Sequence, residues 1–422
     1  MQFLLFLRTH EAHKLDTAPM NPPAPLPSDA TMSNRLMSLD VFRGATIAAM
    51  MLVNNPGDWV AVYKPLLHAE WHGWTFTDLI FPFFLWIVGV AIPISTARRQ
   101  EQGQSRQSLL LHAVRRAAII FALGLFLNAF SYFIDGSLFR DGLPAWLHNF
   151  LTNVRIPGVL QRIAICYLAA TIIFLRTGVR GQLACIAALL SGYWLLMMLA
   201  PVPGYGTGVL DKEGNFAQYV DNLALNGPVI GTHVWKSSRT WDPEGIVSTL
   251  PAIASCLFGI MTGHLLRSNL TSEAKTGWIF VGGNLLLVTG LILDIWLPIN
   301  KSLWTSSYAV FMAGMAMDCF GVCYWLIDVQ GWRKWAKPFA IYGMNAITVF
   351  VLAGVLVRIS MEIKMGGSVT GQKQALKTWL YEHIFAHVND LKIASLLWAL
   401  MYVLLLYLVA YVMYRQKWFV RF

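Results

Sequence analysis

Charge is what this chain has least of: 13% of its 422 residues are Asp, Glu, Lys or Arg, against 56% that are hydrophobic. A soluble domain carries about 25% charged residues to keep its surface in water, so a soluble globular fold is excluded. The mean hydropathy of +0.53 points the same way. Cysteine is scarce too. The five residues Cys166, Cys185, Cys256, Cys319 and Cys323 form no C-x-x-C pair, which argues against a disulfide scaffold or a cysteine-built metal site and leaves packing inside apolar segments as their role. No Walker loop, G-x-S-x-G elbow or dinucleotide fingerprint occurs, so nothing implies a nucleotide-hydrolysing engine. No internal repeat stands out, and an inverted-repeat transporter gains no support.

What the chain has in abundance is apolar runs. Ten windows reach the roughly 20 residues that a bilayer core requires, near 36-54, 75-96, 109-132, 156-175, 182-201, 245-266, 276-297, 303-327, 338-359 and 392-414. The expected fold is therefore an all-α polytopic membrane protein of about ten transmembrane helices. Basic residues sort the connections, because Lys and Arg are retained on the cytoplasmic side of short loops. Of the 32, 18 fall in the tail to Ser38 and in 97-116, 175-182, 266-276, 328-337 and 414-422, and 10 in the alternate loops. Both termini are expected in the cytoplasm. The net charge of +10 is then mostly a topology signal, and nucleic acid is a poor partner without a basic soluble domain.

Residues 1-34, with Pro22, Pro23, Pro25 and Pro27 among Ser, Asp and Asn, read as a disordered tail. Residues 35-422 read as one transmembrane domain. Its longest connection, 201-244, is broken by Pro201, Pro203, Gly204, Gly206, Gly208 and Gly227, yet Tyr205, Tyr219, Trp235 and Trp241 favour an ordered extracytoplasmic cap.

The candidate chemistry gathers at segment ends. His68 sits just before an apolar run that contains Asp78. Imidazole exchanges protons near neutral pH, so His68 can be a general base or nucleophile; an interfacial histidine beside Trp71 and Trp74 fits as well, and His72 competes for the role. Asp78 can orient an imidazole, bond a sugar or pair with Arg162. Pro82 is expected to free a backbone carbonyl in that span. Asn54, or Asn55 beside it, can donate an amide to a developing oxyanion, against a plain helix-end role. Asp40 and Arg43 share a helix face and can form an ion pair, or Arg43 can face a phosphorylated donor. His383 and His387 stand four apart without the intervening glutamate of a zinc helix, so no metal is expected.

Several short motifs recur together: Ser38-Leu39-Asp40-Val41-Phe42-Arg43-Gly44, His68-Ala69-Glu70-Trp71 with Asp78-Leu79-Ile80-Phe81-Pro82, Ile156-Pro157-Gly158-Val159-Leu160-Gln161-Arg162, Asp242-Pro243-Glu244-Gly245, Asn300-Lys301-Ser302-Leu303-Trp304 and Gly343-Met344-Asn345. In this order they resemble the heparan-α-glucosaminide N-acetyltransferase family of transmembrane acyltransferases, including its shorter bacterial members. The resemblance implies an acetyl-CoA-dependent acyltransferase that uses cytoplasmic acetyl-CoA and acetylates the amine of a glucosamine-type sugar outside. It implies His68 and Asn54 as catalytic residues. Asp40, Arg43 and Asn345 are expected to meet coenzyme A, and Asp78, Arg162, Asp242, Glu244 and Lys301 to hold the amino sugar or glucosamine-containing oligosaccharide. A bacterial inner membrane, with lipid around the chain, is the expected setting, and a homodimer stays open. An O-acyltransferase acting on a periplasmic polysaccharide and a proton-coupled amino-sugar transporter are the rival readings.

Overall fold

The computed structural model describes residues 36–228, 230–366, 373–385 and 387–419. The expected disordered tail, 1-34, lies outside them. The fold is an all-α polytopic membrane protein, built from α1 (Met37–Asn54), α2 (Phe76–Glu101), α3 (Arg106–Ile134), the short α4 (Ser137–Asp141) and α5 (Leu143–Asn153), α6 (Val159–Arg176), α7 (Val179–Leu199) and α8 (Phe216–Leu225). There follow α9 (Thr249–Leu266), α10 (Ser272–Asp294), α11 (Ser306–Tyr324), which ends in a π turn at Trp325–Val329, α12 (Lys337–Met344), α13 (Ala346–Glu362), α14 (Leu376–Phe385) and α15 (Leu391–Arg415). Two tiny antiparallel hairpins, Asn226–Gly227 with Gly231–Thr232 and Lys364–Met365 with Gln374–Ala375, are the strands seen among the described residues.

Among the described residues, eight helices are long and apolar enough to cross a membrane, and nine if α12 and α13, bent by 76° at Asn345, make one broken span. The remaining apolar window is α1, whose Asp40 and Arg43 dilute its hydrophobicity. α2 is the hub. Its apolar window is 78% buried, whereas those of α7 and α10 are 22% buried and turn most of their surface outward. In a bilayer, helices gain little from hiding apolar area from lipid, so close backbone approach decides who packs centrally. α2 and α9 achieve it through Gly89 and Gly259: a Cβ on Gly89 would lie 1.9 Å from the Cys256 carbonyl oxygen, and one on Gly259 2.1 Å from that of Trp86.

At one end of the bundle the connections lock together. The Gly73 amide donates to the Ile299 carbonyl at 2.7 Å, the Ile156 amide to that of His233 at 3.0 Å, and the Gly57 amide to that of Ser395 at 3.3 Å. The Trp71 indole donates to the Leu210 carbonyl at 2.8 Å. This locked end carries the candidate site. The opposite end holds Asp40 and Arg43, paired at 2.8 Å, and the Ser38 amide, which donates to Asp328 at 3.2 Å.

Candidate active site

The loop before α2 folds His68 back onto the helix start. Asp78 occupies the third position of α2, and its Oδ2 accepts the amides of Thr75 and Ala69, each at 3.0 Å. That is the reciprocal half of a capping box, which ties the loop to the helix and satisfies amides otherwise left unpaired. Oδ1 is left for His68, whose Nδ1 lies 2.6 Å away. The carboxylate side chain is 1% exposed, the imidazole 49%. A buried carboxylate against Nδ1 fixes the proton there and turns the Nε2 lone pair outward, the tautomer a general base needs. The Asp78–Arg162 pairing left open by the sequence is not formed.

The dyad is braced from below. Four residues after Asp78 stands Pro82, which has no amide to give to the Asp78 carbonyl. The Tyr308 hydroxyl supplies the missing donor at 2.6 Å. Tyr308 packs edge-on against Trp304, 5.3 Å between centroids, and Trp304 meets Phe81 at 5.0 Å. Trp304 is fully buried and holds φ at 52°, a left-handed conformation that bulky residues seldom adopt. The guanidinium of Arg162 lies over its ring at 5.3 Å. Arg162 itself is 1% exposed, donating to the Gly245 carbonyl at 2.9 Å and to the Ser248 hydroxyl.

A second group forms around Arg155, which the sequence did not single out. Its Nε and Nη2 reach the two carboxylate oxygens of Asp242 at 2.8 and 2.6 Å, and Nη2 also reaches Glu244 at 2.5 Å. Burial alone would lower the Arg155 pKa, but the Asp242 hydrogen bond and the two carboxylate charges push it above its ordinary value. Burial likewise opposes ionisation of Glu244, yet Arg155, Lys301 and Arg162 hold it below the usual carboxylate range. Asp242 moves up, because burial and the neighbouring Glu244 charge outweigh its bond to Arg155. Beneath the group, Asp221 of α8 accepts the Ile246 amide at 2.8 Å and that of Asp242 at 3.3 Å. Burial pushes its carboxyl up to about 6.

Arg155 lines a cavity of about 260 Å³ at the locked end, bounded also by Asn54, Asn55, Asn128, Gln161 and Arg358. Asn54 is exposed there, while Asn55 is 5% exposed and donates back to the Met51 carbonyl at 2.8 Å. No hydrogen bond joins Asn54 to His68 among the described residues. Asp242 and Glu244 meet the cavity through Arg155. Lys301 links the two groups electrostatically, since its charge acts on both Asp78 and Glu244. Asp40, Arg43 and Asn345 lie apart from all of these, the first two near the start of α1 and the last at the α12–α13 bend. His383 stacks on Trp379 at 4.0 Å.

Arg155 could have been suspected from its place directly before the Ile156-Pro157-Gly158 motif, but its partners stand 87 and 89 positions away. Nothing local in the sequence announces them.

A family model described as the catalytic part of heparan-alpha-glucosaminide N-acetyltransferase matches residues 35–297. The Homo sapiens protein named heparan-alpha-glucosaminide N-acetyltransferase is 27% identical over 434 residues, which cover 91% of this chain and 59% of its own length. Its Mus musculus counterpart is 28% identical over 436 residues, covering 92% of this chain and 60% of its own. The chain thus spans about 60% of the length of the curated relatives it matches.

Proposed function

This chain belongs to the heparan-alpha-glucosaminide N-acetyltransferase catalytic family, and on that footing we propose that it moves an acetyl group from cytoplasmic acetyl-CoA to the amine of a glucosamine-type sugar on the other side of the membrane. The observation that carries the reading is the 2.6 Å contact between His68 Nδ1 and a carboxylate that has almost no other exposure.

In this reading the Nε2 lone pair takes a proton from the sugar amine as its nitrogen attacks the thioester carbon. The C–S bond then breaks, and the imidazolium returns the proton to the departing thiolate. The products are an amide and the free thiol, and the dyad ends as it began. Asp78 stays ionised and steadies the transient imidazolium, so its part is to orient the ring rather than to touch the sugar. Asn54, exposed at the cavity wall, donates its amide to the oxyanion of the tetrahedral intermediate. In the covalent variant Nε2 itself attacks the thioester and expels the thiolate, and the sugar amine then takes the acetyl group from the imidazole while its proton goes to the thiolate.

Charge sorting of the loops supports the sidedness. The locked end, with 1 basic residue in 55-74 and 1 in 298-302, faces outward, while Asp40, Arg43 and Asn345 lie toward the donor side. Coenzyme A is too anionic to cross lipid, but its thin pantetheine arm can thread between helices. A bacterial inner membrane is the proposed setting.

Purified protein in liposomes, given labelled acetyl-CoA and glucosamine, tests the reading. An alkali-stable labelled product supports N-acetylation. A label released by mild alkali indicates an ester and the O-acyltransferase alternative, whereas sugar uptake without any acyl donor indicates a transporter.

A further inference from the structure

We propose that α5 is a membrane anchor: it lies along the leaflet at the locked end, sinks a stripe of leucines among the acyl chains, and through its last turn holds Arg155 and the cap in place.

The stripe is written in the sequence. Leu143, Leu147 and Leu151 recur every four residues, so a helix gathers them on one narrow face. All three stand open, at 61, 44 and 57% exposure, and Phe139 of α4 just before them is 91% exposed. The far side of the helix carries His148, Asn149 and Thr152, and α5 contains no Asp, Glu, Lys or Arg. Its 11 residues fall well short of the roughly 20 that crossing a bilayer takes. A short helix, apolar on one side and polar but uncharged on the other, fits the plane of the interface.

Its depth is set by α3, which is long and apolar enough to cross the membrane. The Trp146 indole donates to the Tyr132 carbonyl at 2.8 Å, and the Tyr132 hydroxyl donates to the Asn153 carbonyl at 2.9 Å. These two bonds pin α5 to the last turn of α3, the level at which that span leaves the bilayer. The apolar surface is continuous across the junction. Phe133 of α3 is 54% exposed and lies 5.5 Å from Trp146 and 6.0 Å from Phe150 between ring centroids. Trp146 is three positions from Leu143 and Phe150 three from Leu147, so both rings adjoin the stripe. The leucines thus prolong the outward apolar face of α3, marked by Phe126 and Phe133, beyond the end of the span. Lipid that covers the one face reaches the other.

The last turn of α5 is built into the cap. Gly231, at φ 91°, approaches Thr152 so closely that a Cβ there would lie 2.1 Å from the Thr152 carbonyl oxygen. The His233 ring sits between the Val154 and Ile230 carbonyls, 2.7 Å from each, and the Ile156 amide donates to the His233 carbonyl. Between Val154 and Ile156 stands Arg155, the partner of buried Asp242 and Glu244. A shift of α5 out of the leaflet would therefore pull on the segment that carries this guanidinium.

Photolabelling of the full chain in vesicles of phosphatidylethanolamine and phosphatidylglycerol tests the anchor and needs neither acyl donor nor acceptor. The probe is a phospholipid with a diazirine in its acyl chain. Adducts mapped by peptide mass spectrometry should fall on Leu143, Leu147 and Leu151 and on Phe126, the control within α3, and about tenfold less often on Asn149. Leu147→Glu should cut the adducts on Leu143 and Leu151 about tenfold while those on Phe126 persist. The same variant should speed amide exchange at Ile156 about tenfold. A labelled Phe126 beside a blank stripe would overturn the proposal, because a second copy or another protein segment would then cover the leucines. The wild type alone gives that answer should the variant fail to fold. Stripe adducts undiminished by Leu147→Glu would overturn the anchor, and unchanged exchange at Ile156 in a variant that has lost them would overturn the hold on Arg155.

Discussion

Two ion pairs at opposite ends of the molecule use the same residue types under different constraints. Asp40 and Arg43 lie three apart on α1, 2.8 Å from each other, with side chains 17% and 24% exposed. Arg155 meets Asp242 and Glu244 across more than 80 residues of sequence, and those carboxylates are 0% and 5% exposed. Water still reaches the first pair and does part of its solvation. Arg155 is itself 21% exposed, but its two carboxylate partners are cut off from water and depend on its guanidinium. Burial, not the count of charges, separates a pair that trims a helix end from a network that holds a site together.

Removing Arg155 should sharpen that contrast most. Arg155→Met leaves two carboxylates buried beside each other and should destabilise the protein by about 3–5 kcal/mol, read as a large fall in the thermal unfolding midpoint in detergent. Tyr308→Phe comes next. It orphans the buried Asp78 carbonyl that Pro82 cannot serve, and a loss of about 1–3 kcal/mol is expected in the same assay.

Asp221 makes the buried end respond to pH. The folded chain holds this proton up to about pH 6, against an ordinary value of 3.8. The stability it contributes is therefore complete below pH 3.8 and is lost as pH rises through about 6. The unfolding midpoint should fall across that window in the wild type, and Asp221→Asn should flatten the slope. The smallest effect belongs to the partly exposed pair: Asp40→Asn or Arg43→Gln should shift stability by about 0–1 kcal/mol, within the range of ordinary surface ion pairs. A fall as large as that of Arg155→Met would erase the distinction between the two ends.

How much was legible in the sequence follows the same division between local and distant. Hydropathy over 20-residue windows marked the spans, because a bilayer reads each helix by its own composition. His68 and Asp78 were visible as neighbours, being 10 positions apart across one loop and one helix start. Pro82 promised a freed carbonyl, and the structure shows that it is the carbonyl of Asp78 itself. Arg155 stayed hidden, since its partners are chosen by how α6 and the 242–248 turn meet. Asp78 was equally able, on residue types alone, to face Arg162. The difference between Asn54 and Asn55 is a matter of helix phase at a frayed end, where one residue's rotation moves an amide from the cavity to its own backbone. Gln161 and Arg358 carry no local signal either: a glutamine within a motif and an arginine in an apolar helix face one cavity only because α1, α3, α6 and α13 enclose it.

The measurement that bears most directly on the central claim is the acetyl-transfer rate of His68→Ala, with and without added imidazole. The half-exposed ring leaves an opening that imidazole can enter. Loss of about 10²–10⁴-fold in rate is expected, partly restored by imidazole in the variant and unaffected by it in the wild type. Transfer by His68→Ala at the wild-type rate would contradict the assignment of this ring as the base.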